Sequence, residues 1–232
     1  MTRERFKKVA MAGVLFSLIC GPVPSGTAAP ITWTTWTSGT ASSTAGSAAG
    51  TLAALGISVG YTGEMESLNT GVLWTPVSTF SGGTVGNAPP SGVNDGIQLF
   101  GGGTVVDTIT FSAPVLNPVL AILSLGQGGI TARFNFTAAE PFTIQSGGPS
   151  SQFGGSSIFA GGTCPVNSVC GNEGSGVLQL NGLFSSITWT NPVFENYYVF
   201  TVGVPGQVVP EPATLALLAL GLAGLGLSRR KR

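Results

Sequence analysis

From Ile130 to Phe136 apolar and polar residues alternate: Ile130, Ala132, Phe134 and Phe136 share one face, while Thr131, Arg133 and Asn135 share the other. A period of two is that of a β-strand with one buried and one wet face. The same alternation runs through Leu55, Ile57, Val59 and Tyr61. Ile31 to Thr37, rich in Thr and Trp, reads as the first strand, and Glu64 to Trp74 as another that ends before Pro76. Ile97 with Leu99, then Val105, Ile109 and Phe111, then Val115 to Leu125 supply three more. The last of these is nearly all apolar and so central in its sheet, with Pro118 marking a bulge or interruption. Phe142 with Ile144, Val177 to Leu180, Leu183 to Thr190 and Tyr197 to Val204 complete the set. Asn181-Gly182, the favoured two-residue hairpin turn, joins the Val177 and Leu183 strands. Ser38 to Gly50, made of Ser, Thr, Ala and Gly, reads as a flexible loop, and Phe80 to Asp95 as a long one. About ten short strands between turn signals predict an all-β fold, an antiparallel β-sandwich of jelly-roll type.

Both extremities break this pattern. Arg3, Arg5, Lys7 and Lys8 precede an uncharged run from Val9 to Cys20, after which Gly21, Pro22, Pro24 and Gly26 stop any helix. Residues 1–28 therefore read as a signal-peptide helix, too short to span a membrane and cleaved after Ala28. Cys20 is read as part of its apolar region, since Ile19 stands where a lipobox needs a small residue. At residues 206–232, Pro210, Glu211 and Pro212 lead into an uncharged run from Ala213 to Leu227, followed by Arg229, Arg230, Lys231 and Arg232. A helix over that run spans roughly 22 Å against a hydrocarbon core of roughly 30 Å. This predicts a single, marginal transmembrane helix with the basic cluster as its cytoplasmic stop. Residues 29–205 are left as one exported domain.

The tail resembles the PEP-CTERM sorting signal of Gram-negative bacteria: Pro210-Glu211-Pro212, an apolar segment rich in Leu, Ala and Gly, and a closing basic cluster. The same short segment is also met as the C-terminal domain of ice-binding proteins, a description of the tail and not of an activity. The resemblance implies recognition by an exosortase, transient residence in the inner membrane, and passage to the cell surface or an exopolysaccharide matrix. Segments such as Q-L-F-G-G-G at Gln98 and F-S-S-I-T-W-T-N-P at Phe184 resemble an ectodomain common among PEP-CTERM proteins, which carries no activity with it.

The two addresses change the meaning of the charge balance. Between Ala29 and Val209 only Arg133 is basic, against Glu64, Glu66, Asp95, Asp107, Glu140, Glu173 and Glu195. A lysine-free, acidic body offers phosphates nothing to bind, which excludes nucleic acid as a partner.

Candidate chemistry is sparse. Cys164 and Cys170 enclose five residues and are expected to form a disulfide in an oxidising compartment. The chain has no histidine, which removes His-assisted nucleophiles and leaves no complete zinc set, so neither a metal site nor a cofactor is expected. The acids lie mostly beside Gly, Asn or Pro and read as solvated loop residues, with a carboxylate-pair glycosidase or a calcium ion at Asp95 as the alternatives. Asn135-Phe136-Thr137 matches a glycosylation sequon by chance, being inside a strand. Trp33 and Trp36, three apart, face opposite ways in a strand, so one of them should be exposed. The expectation is a non-enzymatic exported surface or matrix protein; the alternative is a carbohydrate- or ice-binding β-sandwich module.

Overall fold

The computed structural model describes residues 28–206, apart from 70, 93–94 and 138–139. The expected leader and its helix, and the tail with Pro210, Glu211, Pro212, Arg229, Arg230, Lys231, Arg232 and its transmembrane helix, lie outside the described residues.

Strands come in the order β1 (Ile31–Trp33), β2 (Thr35–Thr40), β3 (Ser42–Leu52), β4 (Ile57–Met65) and β5 (Ser67–Asn69). After the one-turn helix α1 (Val77–Phe80) come β6 (Gly96–Leu99), β7 (Val106–Leu116), β8 (Val119–Leu125), β9 (Ala132–Phe136) and β10 (Phe142–Gly148). The last are β11 (Ser156–Ser157), β12 (Ser168–Gly171), β13 (Gly174–Leu180), β14 (Leu183–Thr190) and β15 (Tyr198–Pro205). They form two sheets. One is ordered β10-β13-β8-β15-β6-β5, with β1 added beside β15 and β11 beside β13. The other is ordered β12-β9-β14-β7-β4-β3-β2. All pairs are antiparallel except the two-residue β11–β13 contact.

The sheets face each other over a core containing Trp36, Tyr61, Ile109, Phe134, Trp189 and Phe200. The first sheet also has a second, outer core. There Ile31, Trp33, Val72, Trp74, Phe80 and Val85 cover Val119, Ala121, Leu123, Val177 and Val199. That double cover explains why β8 is apolar throughout: Leu120 and Ile122 point to the inner core, Val119, Ala121 and Leu123 to the outer. The second sheet has a wet outer face, and β9 keeps the alternation that its sequence predicts.

Several expectations need correction. Ile31 to Thr37 is not one strand: the chain changes sheet at Thr34, whose backbone N–H and hydroxyl both donate to the Val202 carbonyl, at 2.9 and 2.8 Å. Trp33 and Trp36 do face opposite ways, yet both are buried, at 6% and 1% exposure, because each side has its own core. The expected flexible loop Ser38 to Gly50 is the end of β2 and most of β3. Gly46, Ala48 and Gly50 form its inward face, where a Cβ on Gly46 would come 2.5 Å from the Cβ of Met65. Alternation written in glycine and alanine carries no hydropathy signal. Of Glu64 to Trp74, only Ser67–Asn69 forms a strand beyond β4. Asn181-Gly182 does not close a hairpin, since β13 and β14 lie in different sheets. Asn117-Pro118 makes the same kind of crossing between β7 and β8, as the interruption predicted at Pro118.

Candidate functional site

At one end of the sandwich, β4, the turn after β6 and the loop before β15 converge on a buried pair of acids. Asp107 belongs to β7, in phase with Ile109 and Phe111, and is fully buried. Gly63 makes room for it: a Cβ there would lie 2.1 Å from Asp107 Oδ1, and its φ of 151° suits glycine. The Glu64 N–H donates to Asp107 Oδ1 at 2.9 Å, and the Asn191 amide donates to Oδ2 at 2.7 Å. The Tyr61 hydroxyl sits 2.7 Å from Oδ1 and also against the Glu64 carbonyl. Desolvation pushes Asp107 up to about 7; the nearby Glu64 adds to this, while the Tyr61 and Asn191 hydrogen bonds oppose it. Burial raises Tyr61 and Tyr198 as well, so both are protonated donors.

Glu64 is only 7% exposed. Its Oε1 accepts from the Gly101 N–H at 2.9 Å and from the Tyr198 hydroxyl at 3.2 Å. Burial raises its carboxyl against those two bonds. Glu64 lines a cleft of about 250 Å³ with Glu66, Met65, Phe100, the Gly101–Gly103 turn and Phe194. Phe194 is 56% exposed and packs on Phe100 with ring centroids 6.2 Å apart. The acids at this cleft were not singled out from the sequence. Asp107 could have been, because an acid in phase with two inward apolar residues of a strand is placed in the core.

The remaining acids are not simply solvated, contrary to expectation. Glu195 is buried, accepts the Tyr197 N–H at 2.6 Å on Oε1, and is pushed by desolvation up to about 8. Asp95 is also buried; its Oδ2 accepts the Gly92 N–H at 2.9 Å, and burial raises its carboxyl. Burial likewise raises Glu140. Glu173, half-buried, accepts the Ser124 hydroxyl at 2.6 Å. Among the described residues no three His, Cys, Asp or Glu side chains gather as a metal set.

Cys164 and Cys170 are joined, with their Cα atoms 5.8 Å apart. The bridge pins the loop that enters β12, where Cys170 also exchanges two backbone hydrogen bonds with Phe159 at 2.8 Å each.

Where the described chain begins and ends matters for the addresses. β1 pairs antiparallel with β15, Ile31 opposite Pro205, and the Gly206 N–H donates to the Pro30 carbonyl at 2.7 Å. The segments that precede residue 28 and follow residue 206 therefore leave from one corner of the first sheet. Among the described residues no helix is long and apolar enough to cross a membrane.

No curated protein and no solved structure matches the chain. Residues 208–231 match the model of the PEP-CTERM protein-sorting motif, an interval that contains Pro210, Glu211 and Pro212 and the basic residues Arg229 to Lys231. The chain thus carries the sorting signal of an exported protein handled by an exosortase.

Proposed function

We propose that this is a non-enzymatic β-sandwich protein of the cell surface or exopolysaccharide matrix, exported by its leader and held in the inner membrane by residues 206–232 until an exosortase releases it. The observation that carries this is the sorting motif at 208–231, directly behind β15. In this reading Pro210, Glu211 and Pro212 are recognised, Ala213 to Leu227 anchor, and Arg229 to Arg232 set orientation. A jelly roll is the reading of the fold best supported by strand order. β6-β15-β8-β13 lies in one sheet and β7-β14-β9-β12 in the other, and the chain changes sheet at every step of this eight-strand set except β9 to β12. Intact-mass analysis of the protein recovered from cells with and without exosortase tests the role. Loss of the tail only where the enzyme is present is expected; an intact tail on released protein would reject it.

The alternative, a carbohydrate- or ice-binding module, draws on the wet face of the second sheet. There Thr40, Ser47, Thr62, Thr108 and Thr188 stand side by side across five strands. A sheet twisting by about 20–25° per strand turns such a row by roughly 80–100° end to end. That suits a flexible polysaccharide chain better than a planar ice lattice. Thermal hysteresis against polysaccharide co-sedimentation separates the two, and silence in both removes the module reading.

A further inference from the structure

We infer that the cleft at the Gly101–Gly103 turn binds a single glycosyl residue, with Phe194 as its stacking face and Glu64 Oε2 as its hydrogen-bond acceptor. The assignment rests on the matrix reading and names the contact through which the body would hold its surroundings.

Glu64 supplies the polar half. Its Oε1 is occupied by Gly101 and Tyr198. Among the described residues no donor lies within hydrogen-bond distance of its Oε2; the Asn191 amide, which helps hold the carboxylate charged, makes its hydrogen bond to Asp107 at 2.7 Å. Oε2 is not sealed in the interior, and Glu64 lines the cleft. A carboxylate fixed through one oxygen and open at the other is an acceptor set for a donor from outside, such as a sugar hydroxyl. Phe194 supplies the apolar half, for the C–H face of a pyranose ring packs on an aromatic face. Phe100, which also lines the cleft, packs beside it with ring centroids 6.2 Å apart.

The wall is preformed. A Cβ on Gly101 would lie 2.4 Å from the Val193 carbonyl oxygen, and one on Gly102 2.7 Å from the Phe194 Cβ, so the turn packs tightly against the loop that carries the platform. Preorganisation of this kind reduces the ordering cost of binding. Charge selects the ligand class: Glu66 adds a second acid at the rim, and Arg133 of β9 is the only basic residue between 29 and 209. Anionic sugars are disfavoured, and neutral or amino sugars fit. About 250 Å³ is room for about eight waters, the scale of one sugar ring. Calcium takes six to eight oxygens, and among the described residues no three His, Cys, Asp or Glu side chains gather to supply them.

The test uses the processed protein recovered from the exporting cell. It is titrated with that cell's purified exopolysaccharide, with neutral hexoses and hexosamines, and separately with calcium alone. Phe194→Ala removes an exposed ring and is expected to weaken polysaccharide binding at least tenfold, and Glu64→Gln to do the same; Leu183→Ser, exposed at the end of β14 away from Asp107, is expected to leave it unchanged, and Thr62→Lys probes the alternative surface on the sheet face. Circular dichroism and thermal melting establish that each variant is folded. Unaltered affinity in the Phe194→Ala protein, loss confined to Thr62→Lys, no binding of any sugar probe by wild type, or saturation by calcium in place of sugar each overturns the assignment. Tail removal by the exosortase is independent of all four results, so failure of the cleft leaves the sorting role standing.

Discussion

Asn117 and Gly182 clasp each other across the two places where the chain passes between sheets. The Asn117 N–H donates to the Gly182 carbonyl at 2.8 Å, and the Gly182 N–H donates to Asn117 Oδ1 at 2.9 Å. Asn117 holds a φ of 52°, the left-handed region that asparagine tolerates better than most residues. Asn117→Ala loses the side-chain acceptor and keeps the strained backbone, for a destabilisation of about 2–3 kcal/mol. Asn117→Gly loses only the acceptor and should cost about 1 kcal/mol. Urea unfolding of both measures the difference; equal costs would show that the backbone conformation contributes nothing.

Acidity should stabilise the exported body. Asp107 and Glu195 titrate in the fold at about 7 and about 8, above the roughly 4 of an unfolded carboxyl. Folding therefore binds protons between those limits. Its contribution is complete below about pH 4 and is lost as pH rises through 7 to 8, with a change on the order of 4–5 kcal/mol per group at most. Thermal midpoints should fall steadily from pH 5 to pH 8. Asp107→Asn should flatten the slope, because it removes one of the two carboxyls that take up a proton on folding. A midpoint that rises over this range contradicts the assignment.

Reduction of Cys164–Cys170 should matter little globally. By the loop-entropy relation so short a ring contributes about 2 kcal/mol, and the β12 ladder to β9 remains after it opens. Melting with and without reductant is expected to shift by a few degrees, with faster hydrogen exchange confined to the stretch around Phe159 to Cys170.

Trp33 and Trp36 should prove equally costly to truncate. Each fills a separate core, so Trp33→Ala and Trp36→Ala each lose about 3–5 kcal/mol in guanidinium unfolding. If one of the two lay in solvent, as the reading of a single two-sided strand implies, its truncation would cost within about 0.5 kcal/mol.

Those two tryptophans also mark where sequence reading stopped. Their opposite orientation was legible from spacing alone, but the second core that buries Trp33 is built from Val72, Trp74, Phe80 and Val85. These lie in irregular chain or, for Phe80, in the single turn of α1, where no period announces an inward face. β9 and β8 were legible because burial on one face or two writes itself directly as alternation or as a continuous apolar run. β3 was not, since small residues meet Met65, Thr34 and Trp36 closely while looking like a linker. At Asn181-Gly182 a dipeptide that favours a tight reversal was read as a hairpin; which sheet the next strand joins depends on long-range pairing with β7. The cleft stayed hidden because Glu64, Gly101 and Phe194 are far apart in the chain, and only Asp107 behind them was out of character for its strand.

The seam between β1 and β15 sets a working distance for the processing enzyme. Pro210 follows Gly206 by four residues, and four residues reach at most about 14 Å even when fully extended. On the proposed role of Pro210, Glu211 and Pro212, the exosortase works within that distance of the folded cargo. A longer spacer inserted after Gly206 would relax that crowding, making the clearance between cargo and bilayer a variable that can be set residue by residue.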